Sequence, residues 1–257
     1  MPQMINNKIQ QRFSKSAGGY DLFTSLHREI ADKLFDLVVN KHAPSSLLDV
    51  GCGTGYLTGK FKERFPQSAI TGLDFSPGMI EAARLKHGGV EWVLADGNKM
   101  PFTDGSFEML VSNLAYQWAG DLAGAFSEAR RVLAANGILA CTLFGYNTCQ
   151  ELFLSLRQAG RGTLQIARLP DLSQIRQALG TSGFKDPSIE QESIKIAFKG
   201  MHELLSWLKS IGANNLPRSG FLGPETLSRA AAVYRKEYPY LQGVAATFEV
   251  IHIYAKK

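Results

Sequence analysis

The chain has 257 residues, of which 45% are hydrophobic and 20% charged, an ordinary balance for a globular protein. Its net charge of +5 is mild, its three cysteines and five histidines show no metal-ligand spacing, and it contains neither a signal core nor an apolar run of bilayer-spanning length. We therefore expect a cytoplasmic protein with no bound metal, no disulfide framework and no membrane partner.

The first half of the chain reads as an α/β fold. Residues 4–40 carry apolar residues at helical spacing, interrupted by "SAGGY" at 16–20. An alternation of short apolar strands with helices of about ten residues follows. Strands are predicted at 47–50, 69–74, 90–96, 107–114 and 137–145, and helices at 56–65, 77–86 and 122–133. This order predicts a mostly parallel central sheet with helices on both faces, whose ligands bind at the carboxyl ends of the strands.

After residue 146 the pattern is looser. We predict helices near 148–159, 171–182, 200–211 and 224–237, and two late strands at 188–198 and 243–255 that form an antiparallel edge pair. The turn-rich stretch 212–224 is predicted to be a loop. We expect one domain over 1–257, with a ligand-binding core at about 45–145 and a helical lid built from 1–40 and parts of 146–240.

The stretch "LLDVGCGTGYL" at 47–57 is a glycine-rich turn directly after a predicted strand. Gly51, Gly53 and Gly55 recur at every second position, and Tyr56 stands where the dinucleotide pattern G-x-G-x-x-G has its third glycine. Asp49 would repel a pyrophosphate but suits a ligand that carries an ammonium group. The methionine end of S-adenosylmethionine (SAM) has such a group.

Two further acids end predicted strands. Asp74 can accept hydrogen bonds from both ribose hydroxyls of a nucleoside, a contact that would serve NAD equally well. Asp96 can accept the adenine amino group, while Phe75 and Met79 supply apolar walls for the base. A single acid after a strand is most often a helix cap or turn residue, but three of them beside a glycine loop favour a nucleoside site.

These segments resemble the motifs of class I SAM-dependent methyltransferases, which have a Rossmann-like fold. The matching stretches are "LLDVGCGTGYL", "GLDFSPGMIEAAR" and "LADGNKMPFTDGSFEMLVSNLA", within about residues 45–145. The resemblance implies that the main chain near Gly51 and Gly53 packs against the methionine part. It also implies that Asp74 binds the ribose, that Asp96 and Gly97 bind the adenine, and that Ser112 and Asn113 lie beside the methyl donor.

Segments outside these motifs resemble the malonyl-[acyl-carrier protein] O-methyltransferases of biotin synthesis. They are "KIQQRFSKSAGGYD", "SNLAYQWAGDLAGAFSEARRVL", "FGYNTCQEL", "LLSWLKSIGANN" and "GVAATFEVIHIYAKK". This resemblance implies transfer of a methyl group to the free carboxylate of a malonyl thioester. It points to Tyr20 as a hydroxyl donor and lid residue, to Lys209 as the carboxylate-binding cation, and to Gln117 and Trp118 as acceptor-pocket residues. Lys209 departs from relatives that carry Arg there, so it would make a single-point contact rather than a bidentate one.

Several alternatives stay open at this stage. The acceptor could be malonyl-coenzyme A rather than the carrier protein, or the chain could methylate another small molecule, such as aconitate on oxygen or a quinone on carbon. A SAM-binding protein without catalytic activity is also compatible with intact cofactor residues. A nucleic-acid methyltransferase is disfavoured, because "SNLA" at 112–115 replaces the (N/D)PP(Y/F)-type motif of base N-methyltransferases and no basic aromatic stripe occurs.

Overall fold

Up to residue 144, most strands are separated by a helix, as the sequence predicts. The structure is a computed structural model that describes residues 10–160, 169–212 and 223–257. The helices are α1 (residues 10–16), α2 (Ser25–Val39), α3 (Tyr56–Arg64), α4 (Pro77–Lys86), α5 (Leu122–Val132), α6 (Gln150–Ala159), α7 (Leu172–Thr181), α8 (Met201–Ser210) and α9 (Pro224–Glu237). The strands are β1 (Ser46–Val50), β2 (Ala69–Asp74), β3 (Glu91–Leu94), β4 (Phe107–Asn113), β5 (Leu133–Phe144), β6 (Lys185–Phe198), β7 (Pro239–Tyr240) and β8 (Gly243–Lys256).

The strands form one sheet in the order β3-β2-β1-β4-β5-β8-β6, and β7 pairs with β8 in antiparallel fashion. The β1–β2, β2–β3, β1–β4 and β4–β5 pairs are parallel. From β1 the chain adds β2 and β3 on one side and β4 on the other, so the strand order reverses between β1 and β4. Open parallel sheets bind ligands outside the carboxyl ends of the strands at such a reversal.

The residues group into two compact units. The first comprises the described residues of Met1–Leu143, Asp171–Glu190 and Ile251–Lys257, and the second those of Phe144–Pro170 and Gln191–Val250. The prediction of a single domain with a lid stays a prediction. Among the described residues, no helix is both long and apolar enough to cross a bilayer.

In the first unit, apolar side chains cover both faces of the sheet. Successive residues of a strand point to opposite faces, and Leu47 and Leu48 accordingly belong to two different buried clusters. Leu34 of α2 packs with the Leu47 cluster, and Phe126 of α5 packs with the Leu48 cluster. The predicted arrangement, with helices on both faces of a mostly parallel sheet, is therefore confirmed.

In the second unit, α6 and α9 pack against each other. The Tyr234 hydroxyl on α9 donates to the Ala245 carbonyl of β8 at 2.5 Å. The Trp207 ring of α8 meets the Phe248 ring edge-on, with 5.4 Å between centroids. These contacts bury the apolar face of each helix against its neighbours.

Most predicted elements match the structure closely, and β2, α4 and α9 have the predicted bounds. The main difference is β5, which begins at Leu133 instead of residue 137. The turn-forming residues before 137 are accommodated inside the strand, where Asn136 takes a left-handed φ of 63° and the β4–β5 register shifts. The late strands β8 and β6 lie at one edge, as predicted. The loop predicted at 212–224 lies mostly outside the described residues.

Candidate active site

The glycine turn after β1 adopts a backbone that side chains disfavour. Gly51, Gly53 and Gly55 have φ values of 73°, 55° and 87°, in the left-handed region. The Gly51 N–H donates to the Leu73 carbonyl at 2.7 Å, which ties the turn to the end of β2. A Cβ at Gly51 would overlap the Cβ of Ala115, whereas a Cβ at Gly53 meets no atom of the described residues within 4 Å. The turn therefore presents bare main chain at Gly53.

Asp74, the last residue of β2, is almost fully buried with an exposed fraction of 5%. Its Oδ1 accepts from the Ser76 N–H at 2.8 Å and its Oδ2 from the Gly53 N–H at 2.9 Å. Burial raises the pKa of Asp74 to about 6, although the Ser76, Gly53 and Phe75 amides act in the opposite direction. Each oxygen retains a second lone pair for a ligand hydroxyl.

Helix α4 begins with a well-formed cap that fixes the residues after Asp74. The Ser76 side chain accepts from the Met79 N–H, and Pro77 occupies the first helical position. Because the cap fixes the turn into the helix, Phe75 and Met79 are held beside the strand end, and both line the cavity described next.

A cavity of about 390 Å³ opens at the strand reversal of the first unit. Its wall contains ten of the residues predicted from sequence. They are Tyr20, Gly51, Gly53, Asp74, Phe75, Met79, Asp96, Gly97, Asn113 and Trp118. The wall combines one buried carboxylate, bare glycine main chain and aromatic or thioether side chains. This set fits a nucleoside that carries a ribose diol and a planar base.

Asp49 lies in a smaller adjoining cavity of about 60 Å³. It is 1% exposed, and its Oδ2 accepts from the Thr58 hydroxyl at 2.5 Å. Burial raises the pKa of Asp49 to about 7, and the nearby Asp74 adds to the effect, while the Thr58 hydrogen bond opposes it. A nearby ammonium group would favour the charged form of this carboxylate, in line with the role predicted for it.

Ser112 and Gln117, two more of the predicted residues, also lie outside the wall of the larger cavity. Ser112 is fully buried and its hydroxyl donates to the Val50 carbonyl at 2.7 Å, so it ties β4 to β1. The Gln117 side chain donates to the Leu114 carbonyl at 2.8 Å. Neither is among the described residues that line the larger cavity. Their sequence neighbours Asn113 and Trp118 do line it.

Tyr20 and Asp96 both line the cavity, but the Tyr20 hydroxyl is buried and the Asp96 carboxylate is exposed. Burial raises the pKa of Tyr20, and the charges of Asp74 and Asp21 raise it further, so the hydroxyl stays protonated at neutral pH. Asp96 follows β3, is exposed, and its Oδ1 accepts from both the main-chain and side-chain nitrogens of Asn98.

Lys209 lies in the last turn of α8, in the second unit, and its side chain is exposed. Its role as the carboxylate-binding cation stays a prediction.

Helix α1 contributes to the cavity, which the sequence pattern did not predict. The Gln10 side-chain amide donates to the Phe75 carbonyl at 2.6 Å, and both Gln10 and Phe13 line the cavity. The Phe13 ring packs edge-on against Phe75 and Trp118, with centroid distances of 6.2 and 5.7 Å. Phe13 was visible only as one apolar position in a helical repeat.

The turn after β4 was also missed. Leu114 takes a left-handed φ of 53°, which is rare for a residue with a side chain, and Ala115 packs at Gly51. Leu114, Ala115, Tyr116 and Ala119 all line the cavity.

Comparison with known proteins identifies the family. A family model described as a methyltransferase domain matches residues 48–141. The malonyl-[acyl-carrier protein] O-methyltransferase of Halorhodospira halophila is 34% identical, in an alignment covering 96% of this chain and 86% of that protein. The Legionella pneumophila enzyme of the same name is 32% identical, with coverage of 96% and 89%. This chain belongs to the malonyl-[acyl-carrier protein] O-methyltransferase family.

Solved structures support the fold of this family member. The YcgJ protein of Bacillus subtilis has a TM-score of 0.63 at 16% identity, and the match covers 88% of this chain and 98% of that one. The geranyl diphosphate C-methyltransferase of Streptomyces coelicolor, solved with S-adenosylhomocysteine, has a TM-score of 0.53 at 16% identity, with coverage of 88% and 77%. At such identities the likeness shows the fold alone, and the predicted Rossmann-like class I fold is confirmed.

Membership of the malonyl-[acyl-carrier protein] O-methyltransferase family also confirms the predicted class of reaction and its cofactor. The protein is a SAM-dependent methyltransferase. The roles of individual residues toward SAM and the acceptor stay predictions.

Proposed function

We propose that this protein transfers the methyl group of SAM to the free carboxylate of a malonyl thioester on acyl carrier protein, an early step of biotin synthesis. The observation that carries this proposal is the extent of the similarity. The relatives of that name match 96% of the chain, whereas the general methyltransferase model matches only residues 48–141. The likeness therefore includes the regions outside residues 48–141, which the general methyltransferase model does not match.

The proposed methyl transfer mainly requires the protein to align the acceptor oxygen with the methyl group of SAM. A malonyl carboxylate is ionised at neutral pH and is itself the nucleophile, so no general base is needed. SAM supplies an electrophilic methyl group on a sulfonium, and its sulfur leaves as a neutral thioether. The chain has to hold the acceptor oxygen in line and keep water away. The aromatic wall of Phe13, Phe75 and Trp118 supports the second task.

We assign separate roles toward SAM and the acceptor to the residues of the larger cavity. Asp74 would accept the two ribose hydroxyls, and the bare main chain at Gly53 would let the methionine part approach closely. Asp96 and Gly97 would face the adenine. Tyr20, whose hydroxyl stays protonated, would donate to a carboxylate oxygen of the acceptor and orient it.

The carrier protein is our proposed natural partner, and the chain's net charge of +5 is compatible with an acidic one. Malonyl-coenzyme A is the alternative acceptor, because it presents the same carboxylate. A cytoplasmic setting and the absence of nucleic-acid or membrane partners stay predictions.

One experiment tests the acceptor directly. Purified protein is incubated with methyl-labelled SAM and, separately, with malonyl-carrier protein, malonyl-coenzyme A, acetyl-carrier protein and trans-aconitate, and products are identified by mass spectrometry. We expect a methyl ester on the malonyl carrier protein and none on the acetyl form, which lacks the free carboxylate. A product only from trans-aconitate, or from none of the acceptors, would overturn the proposal.

Lys209 can be tested separately from cofactor binding. The Lys209→Ala variant should lower turnover of the malonyl acceptor by about tenfold or more, the cost of one charged hydrogen bond, and leave the affinity for S-adenosylhomocysteine unchanged. Lys236→Ala, which removes another exposed lysine of the second unit, is the matched control and should change neither. Equal losses of turnover and cofactor affinity in Lys209→Ala would refute its acceptor role.

A further inference from the structure

The small cavity of the first unit continues the larger one. Tyr20, Gly51, Gly53 and Asn113 line both cavities, and the small one extends from the glycine turn toward α2. Its wall also contains ionisable side chains of opposite sign, with Asp49 of β1 and Arg28 of α2 among them. The larger cavity accounts for the ribose and base of a nucleoside. The small cavity therefore belongs to whatever extends from the other end of that nucleoside.

Arg28 is built into this wall with an unused donor. Its Nε is buried and has no hydrogen-bond partner among the described residues. Its Nη2 lies 3.3 Å from Asp21 Oδ2, and its Cζ lies 5.0 Å from the centroid of the Tyr56 ring. A buried N–H without a partner is costly for a fold. A donor kept in this state in a cavity wall is available to a ligand.

Asp21 keeps the Arg28 guanidinium in place. Besides Arg28, its carboxylate accepts from the Thr54 hydroxyl at 2.7 Å and from Lys86 Nζ at 2.6 Å. Thr54 belongs to the glycine turn and Lys86 is the last residue of α4, so one carboxylate joins α2 to two elements of the cofactor site. Arg28 is thus held relative to the glycine turn, which lines the same small cavity.

We propose that Arg28 binds the α-carboxylate of the methionine moiety of SAM. The guanidinium would meet the carboxylate, and Asp49 on the same cavity would face the ammonium group, so the wall is complementary to an amino-acid zwitterion. Asp21, which lines the same cavity, is then a positioning residue that holds the Arg28 guanidinium. The inference rests on the SAM site of the proposed function but assigns a residue that the sequence motifs do not.

Two ligands separate this role from a structural one. S-adenosylhomocysteine carries the amino-acid end, whereas 5′-methylthioadenosine has the same adenosine and thioether without it. We expect calorimetry to show that the unmodified protein binds S-adenosylhomocysteine more tightly than 5′-methylthioadenosine. Arg28→Ala should weaken S-adenosylhomocysteine by about 10- to 100-fold and 5′-methylthioadenosine by less than about twofold, since only the first ligand loses a charged hydrogen bond.

Arg28→Lys should recover part of the loss, because Lys keeps the charge but lacks the planar fork. Lys60→Ala is the matched control. Lys60 also has its Nζ near the Tyr56 ring, at 5.9 Å, and pairs with Asp32, but it is not among the described residues that line either cavity. This variant should bind both ligands as the unmodified protein does.

The possible failures are distinguishable. If Arg28→Ala weakens both ligands equally, Arg28 is structural and the inference is wrong, even if the cofactor site is right. If Arg28→Ala does not fold, as judged by circular dichroism, Arg28→Gln replaces it. The loss of affinity for S-adenosylhomocysteine relative to that for 5′-methylthioadenosine then tests the inference in the same way. If the unmodified protein binds neither ligand, the SAM site itself fails, and the proposed function fails with it.

Discussion

At the scale of single residues, Asp74 is the side chain to which we assign the ribose of the cofactor. The Ser76 and Gly53 amides each donate to one of its oxygens, which orients the carboxylate toward the cavity. Replacing it with Ala removes the charged group that we propose as the acceptor of the two ribose hydroxyls. We expect Asp74→Ala to weaken S-adenosylhomocysteine binding by at least about tenfold in calorimetry, since such hydrogen bonds contribute about 1.5–3 kcal/mol. Asp36→Ala, on the exposed face of α2, should leave the affinity unchanged. A loss below about threefold would refute the ribose role.

The raised pKa of Asp74 also gives this contact a pH dependence. With a pKa of about 6, Asp74 is ionised above pH 6 and becomes protonated as the pH falls through that value. Cofactor affinity should therefore decrease between pH 7.5 and 5.5. Asp49, with a pKa of about 7, titrates in the same window. The measurement is therefore a comparison with Asp74→Asn, in which the Asp74 part of the dependence disappears and the Asp49 part stays.

At the scale of elements, two glycines of the same turn, Gly51 and Gly53, are needed for different physical reasons. Gly51 and Gly53 both have left-handed φ values, so an Ala at either position costs about 1–2 kcal/mol of backbone strain. At Gly51 the new methyl group would also overlap Ala115, whereas at Gly53 it meets no described atom within 4 Å and occupies the cavity margin.

Gly51→Ala should therefore lower the melting temperature more than Gly53→Ala does, because overpacking adds to the strain. Gly53→Ala should remain folded and lose cofactor affinity, because the ligand can no longer approach the main chain. Thermal unfolding followed by circular dichroism and calorimetric titration of S-adenosylhomocysteine measure the two effects. Equal destabilisation with equal loss of affinity would contradict this separation.

Helix α1 is an element whose existence could be predicted but whose task could not. Apolar periodicity around Phe13 indicates a helix with one buried face. Periodicity does not say which neighbour that face meets, because the partner is distant in sequence. Only the structure shows the Gln10 amide donating to the Phe75 carbonyl and the Phe13 ring meeting Trp118.

At the scale of the whole molecule, the sequence predicted the sheet and its cofactor edge because both follow from local rules. Strand and helix periods are local, and the acids after successive parallel strands meet at one edge by geometry alone. Side-chain direction is not local in this sense. Ser112 and Gln117 are next in sequence to residues that line the cavity, but their own side chains donate to main-chain carbonyls. The acceptors are Val50 and Leu114 respectively. Leu114 has a left-handed φ and the next residue, Ala115, packs at Gly51, and no spacing rule predicts either feature.

The cavity of the first unit is assembled from stretches that are far apart in the chain, and this has a measurable consequence. Its wall draws on α1, the glycine turn, the β2–α4 junction, the segment after β3 and the turn after β4. A bound ligand stabilises the folded state, by about 2.7 kcal/mol at 100 times its Kd. It therefore slows the exchange of all amides that open by global unfolding. Wall amides that open locally should be slowed in addition.

We therefore expect hydrogen exchange with saturating S-adenosylhomocysteine to show extra protection in all five stretches together. Helix α7 is the internal reference, because it packs on α5 within the same unit and its residues are not among those described as lining the cavity. Protection of a single stretch would mean that the ligand does not span the strand reversal. At a ligand concentration near the Kd of the unmodified protein, Asp74→Ala should lose most of the extra protection in every stretch at once, because its weaker binding lowers the occupancy that all five stretches share.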